Sequence, residues 1–168
     1  MKIKISNLSE GSHNFRFVEP VKSVGLEVPF EGKIEIEVEL KKTHNQIILD
    51  SSILVSTKFD CDRCAVPFSK ILNVKYEMVY LLGVKTIGIE SDNLTYLSPE
   101  TDLIDISNDV RDFSILSVPM KKLCRDDCKG LCYKCGKNLN EGDCFCNKDE
   151  TDSRWFPLIE LKNKLNTN

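Results

Sequence analysis

The sequence has no apolar run long enough to cross a membrane. Its apolar stretches, such as IIL at 47–49, are far shorter than the roughly 20 residues that a membrane helix needs. The first residues, MKIKISNLSEGSHNFRF, lack the continuous apolar core of a signal peptide. We therefore expect a cytoplasmic protein that does not bind a membrane.

Motifs of the common enzyme classes are also missing. The chain contains no phosphate-binding loop, nucleophile elbow or metalloprotease helix. Its only histidines, His13 and His44, lie in polar surroundings without a neighbour at ligand spacing, which favours surface residues. No catalytic group stands out, and we predict a protein that is not an enzyme.

Composition and charge are ordinary for a globular domain. Of the 168 residues, 41% are hydrophobic and 29% charged, which does not favour disorder. The net charge of −3 excludes a general polycation but not a local basic patch. This length suffices for one domain with a core and a small appendage.

Three long segments alternate between apolar and polar residues, which predicts strands with one buried face. They cover 33–42, 47–61 and 70–82, and shorter strands are predicted at 2–6, 14–18 and 26–29. Because the second face is polar, the sheet is predicted to be antiparallel and to need a cover. Residues 83–102 are predicted to be mainly loop, with local strand at 94–97.

Helices are predicted to supply that cover. One would be capped by Ser107 or Asn108 and stopped by Pro119, with a buried stripe of Val110, Phe113, Ile115 and Leu116. A second is predicted at 156–165, with Leu158, Leu161 and Leu165 at helical spacing.

The predicted fold class is therefore α+β. An antiparallel sheet is covered by one or two helices, and a cysteine-rich zinc-knuckle tail and a C-terminal helix follow. We expect residues 1–119 to form the sheet with its covering helix. Residues 120–168 are expected to form the zinc-binding tail and a terminal helix packed on the first part.

The tail is rich in cysteine, since six of the eight cysteines lie between 124 and 146. In a reducing compartment, clustered cysteines more often bind metal or perform thiol chemistry than form disulfides. Cys132 and Cys135, followed by a glycine, have the form of a zinc knuckle, and Cys144 and Cys146 supply two further ligands. These four residues predict a structural zinc site.

The other four cysteines are also paired, as Cys61 with Cys64 and Cys124 with Cys128. Together they would form a second zinc site that ties the sheet to the tail, although interleaved ligand sets fit the spacing equally well. Closing the 59 residues between Cys64 and Cys124 costs roughly 3.6 kcal/mol plus a constant. Structural zinc contributes roughly 10–16 kcal/mol, which exceeds this cost of closing the loop. The chain would then bind one or two zinc ions. A redox centre and disulfides are the alternatives.

Basic residues accompany these cysteines, namely Lys121, Lys122, Arg125, Lys129, Lys134 and Lys137. With Tyr133, Phe145 and Trp155 nearby, a basic knuckle with rings for stacking could bind RNA. Alternatively, the lysines only offset the thiolates, because a Zn(Cys)₄ unit carries a charge of −2. The residues alone leave both interpretations open.

Several of these motifs together resemble the DUF177 or YceD family of large ribosomal RNA subunit accumulation proteins. They are CDRC at 61–64, VP at 118–119, C-x-x-x-CKGLC-x-x-CG-x-NLN at 124–140, CFC at 144–146 and D-x-R at 152–154. The resemblance spans roughly residues 30–165. Two positions depart from the family pattern: Ser153 stands where proline is common, and Ala65 where a larger apolar residue is usual.

The resemblance implies a bacterial cytoplasmic protein needed for normal levels or processing of large-subunit (23S) ribosomal RNA. We expect a non-enzymatic, zinc-stabilised ribosome-biogenesis factor whose partners are that RNA or its precursor particles. One alternative is a zinc protein that binds a ribosomal protein or a processing nuclease without contacting RNA. Another is a thiol-redox protein.

Overall fold

The computed structural model of the chain describes residues 1–83, 93–98, 100–146 and 153–165. In chain order, these residues form strands β1 (Lys2–Lys4), β2 (Gly11–Pro20), β3 (Phe30–Lys42), β4 (Gln46–Asp60), β5 (Pro67–Leu82), β6 (Leu94–Leu97) and β7 (Leu103–Asp105), then helices α1 (Ser107–Leu116) and α2 (Phe156–Leu165). Short 3-10 turns lie at Val21–Val24 and Ser153–Trp155. The predicted α+β fold class is confirmed.

Strands β2 to β6 form one sheet in their chain order. Strands β2 to β5 are antiparallel to their neighbours, whereas β6 runs parallel to β5. The three long predicted strands are confirmed as β3, β4 and β5. Ile36, Ile53 and Val74 lie opposite one another in these strands and are all buried. The alternation fixes the register, because a slip by one residue would expose every apolar side chain.

The shorter predicted strands have mixed outcomes. Those at 2–6, 14–18 and 94–97 correspond to β1, part of β2 and β6. The strand predicted at 26–29 is wrong, because this segment is irregular and ends in a turn, with Val28 93% exposed. Pro29 also lacks the N–H that a strand would donate to its neighbour. Of the loop predicted over 83–102, residues 84–92 and 99 lie outside the described residues.

The buried face of the sheet is covered by α1 and by a small second sheet made of β1 and β7. Ile3, Ile104 and Val110 from these elements share one core with β3 to β5. The Phe113 ring of α1 stacks on Tyr76, with the ring centroids 4.3 Å apart. The cover therefore combines one helix with a pair of strands, of which β1 was predicted and β7 was not.

Two details of α1 differ from the prediction. Its N-cap is Ile106 rather than Ser107 or Asn108. The Ser107 N–H instead donates a hydrogen bond to the side-chain carboxylate of Asp105, the last residue of β7. The expected burial of Ile115 and Leu116 is wrong, since these side chains are 45% and 77% exposed. Ser114 is buried in α1, and Ile115 and Leu116 project about 100° and 200° further around the helix.

Residues 120–146 contain little regular structure beyond an isolated bridge between Leu131 and Asn138. The helix predicted at 156–165 is present as α2, and its Leu158 and Leu161 side chains are each 55% exposed. The division between residues 1–119 and 120–168 stays a prediction. Within the described parts of the chain, no helix has the length and apolar character needed to cross a membrane.

Candidate metal centres

The eight cysteines lie in two groups of four. The first centre comprises Cys61, Cys64, Cys124 and Cys128, and the second centre comprises Cys132, Cys135, Cys144 and Cys146. Within each centre the sulfur atoms all lie within 4.8 Å of one another. The structure thus brings together the same sets that the sequence analysis grouped, rather than interleaved ones.

The spacing of the sulfur atoms fits a tetrahedral metal ion. Metal–sulfur bonds of about 2.3 Å in a tetrahedron place neighbouring sulfurs about 3.8 Å apart. The Cys61–Cys128 and Cys64–Cys124 sulfur distances are both 3.8 Å. All eight cysteines lie in the described residues and are free thiols. Each group can therefore hold one metal ion.

The first half of the first centre is a tight turn after β4. The Ala65 N–H donates to the Cys61 carbonyl at 2.8 Å, and the Cys61 N–H donates to the Val66 carbonyl at 3.0 Å. Burial acts to raise the pKa of the Cys61 thiol, but the N–H groups of Cys124 and of the turn outweigh it and lower the pKa to about 6. The turn therefore favours the thiolate, which is the metal-binding form.

The second centre repeats this turn. The Gly136 N–H donates to the Cys132 carbonyl at 2.8 Å, as Ala65 does to Cys61. The N–H groups of Cys135 and Lys134 point at the Cys132 sulfur and lower its pKa to about 6. Both turns end in a left-handed residue, with φ of 72° at Gly136 and 55° at Ala65. The same backbone geometry thus occurs twice, once with glycine and once with alanine.

The remaining thiols need a cation to ionise together. Burial, followed by the neighbouring sulfurs, raises the pKa of Cys124 to about 12. In the second centre the contact with Cys135 is the main cause of a Cys146 pKa raised to about 12. Because like charges at this separation disfavour one another, four ionised sulfurs require a positive ion between them.

Asp62 and Arg63, the two residues inside the first C-x-x-C turn, hold the tail on the sheet. Asp62 exchanges two hydrogen bonds with the Lys122 backbone, at 2.7 and 2.8 Å. The Arg63 guanidinium donates to the Cys128 carbonyl at 2.8 Å, and its own carbonyl accepts from the Leu131 N–H at 3.0 Å. Neither residue was assigned a role from the sequence, although the position of both between two ligands was a signal.

Asn140 supports the first centre from the tail. Its side-chain amide donates to the Cys128 sulfur at 3.3 Å, and its side-chain oxygen accepts from the Lys129 N–H at 2.9 Å. Burial acts to raise the Cys128 pKa, but the Asn140 amide helps to lower it. Asn140 lies between Cys135 and Cys144, two ligands of the second centre, and its bond to Cys128 therefore connects the two centres. This role of Asn140 was not predicted from the sequence either.

Several of the six predicted RNA-binding residues make contacts within the protein. Arg125 donates to the side chain of Asn140 at 2.7 Å, and the Lys122 ammonium lies 5.8 Å from the centroid of the Phe59 ring. The Lys137 ammonium donates a hydrogen bond to the backbone carbonyl of Asp143. Contact with RNA therefore stays a prediction for Lys121, Lys122, Arg125, Lys129, Lys134 and Lys137.

A family model described as "Large ribosomal RNA subunit accumulation protein YceD" matches residues 49–162, which is 114 of the 168 residues. The chain is 36% identical over 77 residues to the chloroplastic "Large ribosomal RNA subunit accumulation protein YCED homolog 1" of Arabidopsis thaliana. It is 37% identical over 141 residues to the chloroplastic protein of the same name from Zea mays. An uncharacterized protein of Mycobacterium tuberculosis is 23% identical over 130 residues.

These alignments cover only part of each protein. They include 46%, 66% and 76% of this chain for the Arabidopsis, maize and mycobacterial relatives respectively. The chain spans 24%, 47% and 61% of the lengths of those relatives. No solved structure matches the chain.

Proposed function

This chain belongs to the YceD family of large ribosomal RNA subunit accumulation proteins, and we propose that it is a cytoplasmic, non-enzymatic bacterial factor that supports accumulation or processing of 23S ribosomal RNA. The observation that carries the proposal is the extent of the family match. Residues 49–162 include most of β4, the whole of β5 and all eight cysteines. The names of the two plant relatives refer to the same class of RNA.

Its test is depletion of the protein in its own host. Loss should lower mature 23S ribosomal RNA relative to 16S and leave unprocessed precursors. The full chain should also cosediment with large-subunit precursor particles in a gradient. Unchanged ribosomal RNA together with absence from all precursor fractions would refute the proposal.

We assign zinc to both centres. Four thiolates in a tetrahedral arrangement are the donor set that structural zinc prefers. In such a closed site every coordination position is filled by protein, so the ion supplies fold stability rather than an activated water. This chemistry supports a structural role and the absence of catalysis at the centres.

Metal analysis of the purified chain tests this assignment. We expect two zinc ions per chain, and thiols that react with an alkylating reagent only after a chelator is added. The thiol-redox alternative predicts no stoichiometric metal and cysteines that react before chelation. That second result would overturn the zinc assignment.

For the RNA, we propose that Lys121 and Lys129 contact phosphates. Both are exposed and lie on either side of the Cys124–Cys128 pair. Replacing both by glutamine should weaken RNA binding. For a single strand, the slope of log K against log salt concentration should become less steep by about 0.7 per lost contact. Glutamine at Lys33 and Lys75, which are exposed on the sheet, is the matched control. If the two double variants lose the same RNA affinity, the lysines contribute only general charge attraction and the proposed phosphate contacts are refuted.

A second candidate is a partner protein bound without RNA contact. The observation that favours it is α2, whose large apolar residues Phe156, Leu158 and Leu161 are each more than half exposed. In this case association with precursor particles or with a ribosomal protein survives nuclease treatment. Substituting those residues by serine should abolish it, whereas the lysine variants should not.

A further inference from the structure

The cysteine-rich surface carries little net positive charge. Residues 61–64 and 120–146 contain seven basic and five acidic residues, for a formal charge of +2 with neutral thiols. Two Zn(Cys)₄ units, each with a charge of −2, change this to −2. Because phosphate binding depends on cationic residues that release counterions, the phosphate backbone alone gives this surface little affinity for RNA. The phosphate contacts proposed for Lys121 and Lys129 therefore need recognition of the bases in addition.

Aromatic rings at the second centre provide a means of binding bases. Phe145 lies between Cys144 and Cys146, and its side chain is 106% exposed. Tyr133 lies between Cys132 and Cys135 and is 71% exposed. A phenylalanine that is wholly in solvent buries no apolar area within the protein, so its packing gives no reason for its presence.

The metal centre also fixes the backbone that carries these rings. Each ring is attached one residue from a sulfur ligand, and the Cys132 N–H is further held by the Lys137 carbonyl at 2.8 Å. A rigid platform loses less conformational freedom on binding than a flexible loop does. Rings presented in this way can stack on bases of any sequence, because every base has a π-face.

We infer that Phe145 and Tyr133 form a stacking platform that binds unpaired RNA bases, so the ligand of the second centre is single-stranded RNA rather than a duplex. This inference rests on the proposed function, since the family directs attention to ribosomal RNA. It adds the class of RNA and the residues that recognise it. In a duplex the bases are already stacked and paired, and rings have no access to their faces.

The experiment compares two probes, a labelled single strand of about 12 nucleotides and the blunt duplex of the same sequence. Fluorescence anisotropy of the full chain with verified metal content measures both affinities. We expect the single strand to bind at least about ten times more tightly. Phe145→Leu should weaken that binding by about 5-fold to 100-fold, and Phe145→Trp should preserve it. Tyr133→Leu provides a second, independent variant with the same expected loss.

Met120→Ala is the matched control, because Met120 is an apolar side chain that is 99% exposed outside the second centre. Its affinity should equal that of the parent chain. Equal binding of both probes, or unchanged binding by both leucine variants, overturns the inference. If the chain cosediments with precursor particles in either of these cases, the proposed function stands and only the stacking platform is rejected. Nuclease-resistant association without affinity for the single strand also overturns it and favours a protein partner.

Discussion

Loss of one ligand from each centre should release different parts of the tail. The first centre joins the sheet to the tail across the 59 residues between Cys64 and Cys124, whereas the second closes a loop of only eight residues between Cys135 and Cys144. Cys124→Ser and Cys146→Ser form a matched pair, because both thiols are half-buried. Each variant should retain one metal ion per chain.

The magnitudes show why Cys124→Ser should detach the tail. Asp62 and Arg63 make five hydrogen bonds to residues 122–131, each worth about 1 kcal/mol. Closing the 59-residue loop costs roughly 3.6 kcal/mol plus a constant, which nearly cancels them. Nothing then remains to offset the cost of ordering the tail backbone, about 1–2 kcal/mol per residue. A structural metal contributes roughly 10–16 kcal/mol, which is more than the hydrogen bonds provide, so its loss should leave the junction unformed.

Native-state amide hydrogen exchange measures the outcome residue by residue. In Cys124→Ser, the Asp62 and Leu131 amides, which bond across the sheet–tail junction, should lose protection. The Cys132 and Gly136 amides, which bond within the second turn, should keep it. Cys146→Ser should give the reverse pattern, and amides of β3 and β4 should stay protected in both variants.

The opposite results would refute this reasoning. If both variants expose the same amides, the two centres do not fold independently. If Cys124→Ser unfolds β3 and β4 as well, the sheet depends on the metal and its own core is insufficient. If metal-free protein protects the Asp62 and Leu131 amides fully, the metal does not hold the tail in place.

Four further substitutions test the backbone of the turns and the support of the first centre by Asn140. Gly130→Ala should lower the free energy of unfolding by about 1 kcal/mol more than Gly136→Ala: both have left-handed φ, but only at Gly130 would a Cβ lie 3.0 Å from the Arg63 carbonyl oxygen. Equal losses in urea denaturation would contradict this. Ala65→Gly should raise the free energy of unfolding by up to about 1 kcal/mol, because it relieves a left-handed alanine, and a loss would show that the alanine side chain matters more. Asn140→Ala should weaken metal binding at the first centre by about 10-fold to 100-fold in a chelator competition, and unchanged affinity would exclude a role for its bond to sulfur.

Local patterns in the chain predicted the sheet well. Strands β3, β4 and β5 are long and alternate over most of their length, so period and burial agree over many residues. The strand predicted at 26–29 failed because four residues carry too little pattern to outweigh a proline. The predicted burial of Ile115 and Leu116 failed because consecutive residues of a helix project about 100° apart, so neither shares the buried face of Val110 and Ser114.

The ligand chemistry also follows from the sequence alone, because C-x-x-C turns form locally and four soft thiolates suit few metals. Only the tertiary structure decided which pairs meet, since interleaved sets fit the same spacing until the sheet places Cys61 beside Cys128. It also identified Asp62, Arg63 and Asn140, whose partners lie up to 68 residues away along the chain. Short-range conformational preference is written in neighbouring residues, whereas these contacts exist only once the folded sheet has brought distant backbone groups within hydrogen-bonding distance.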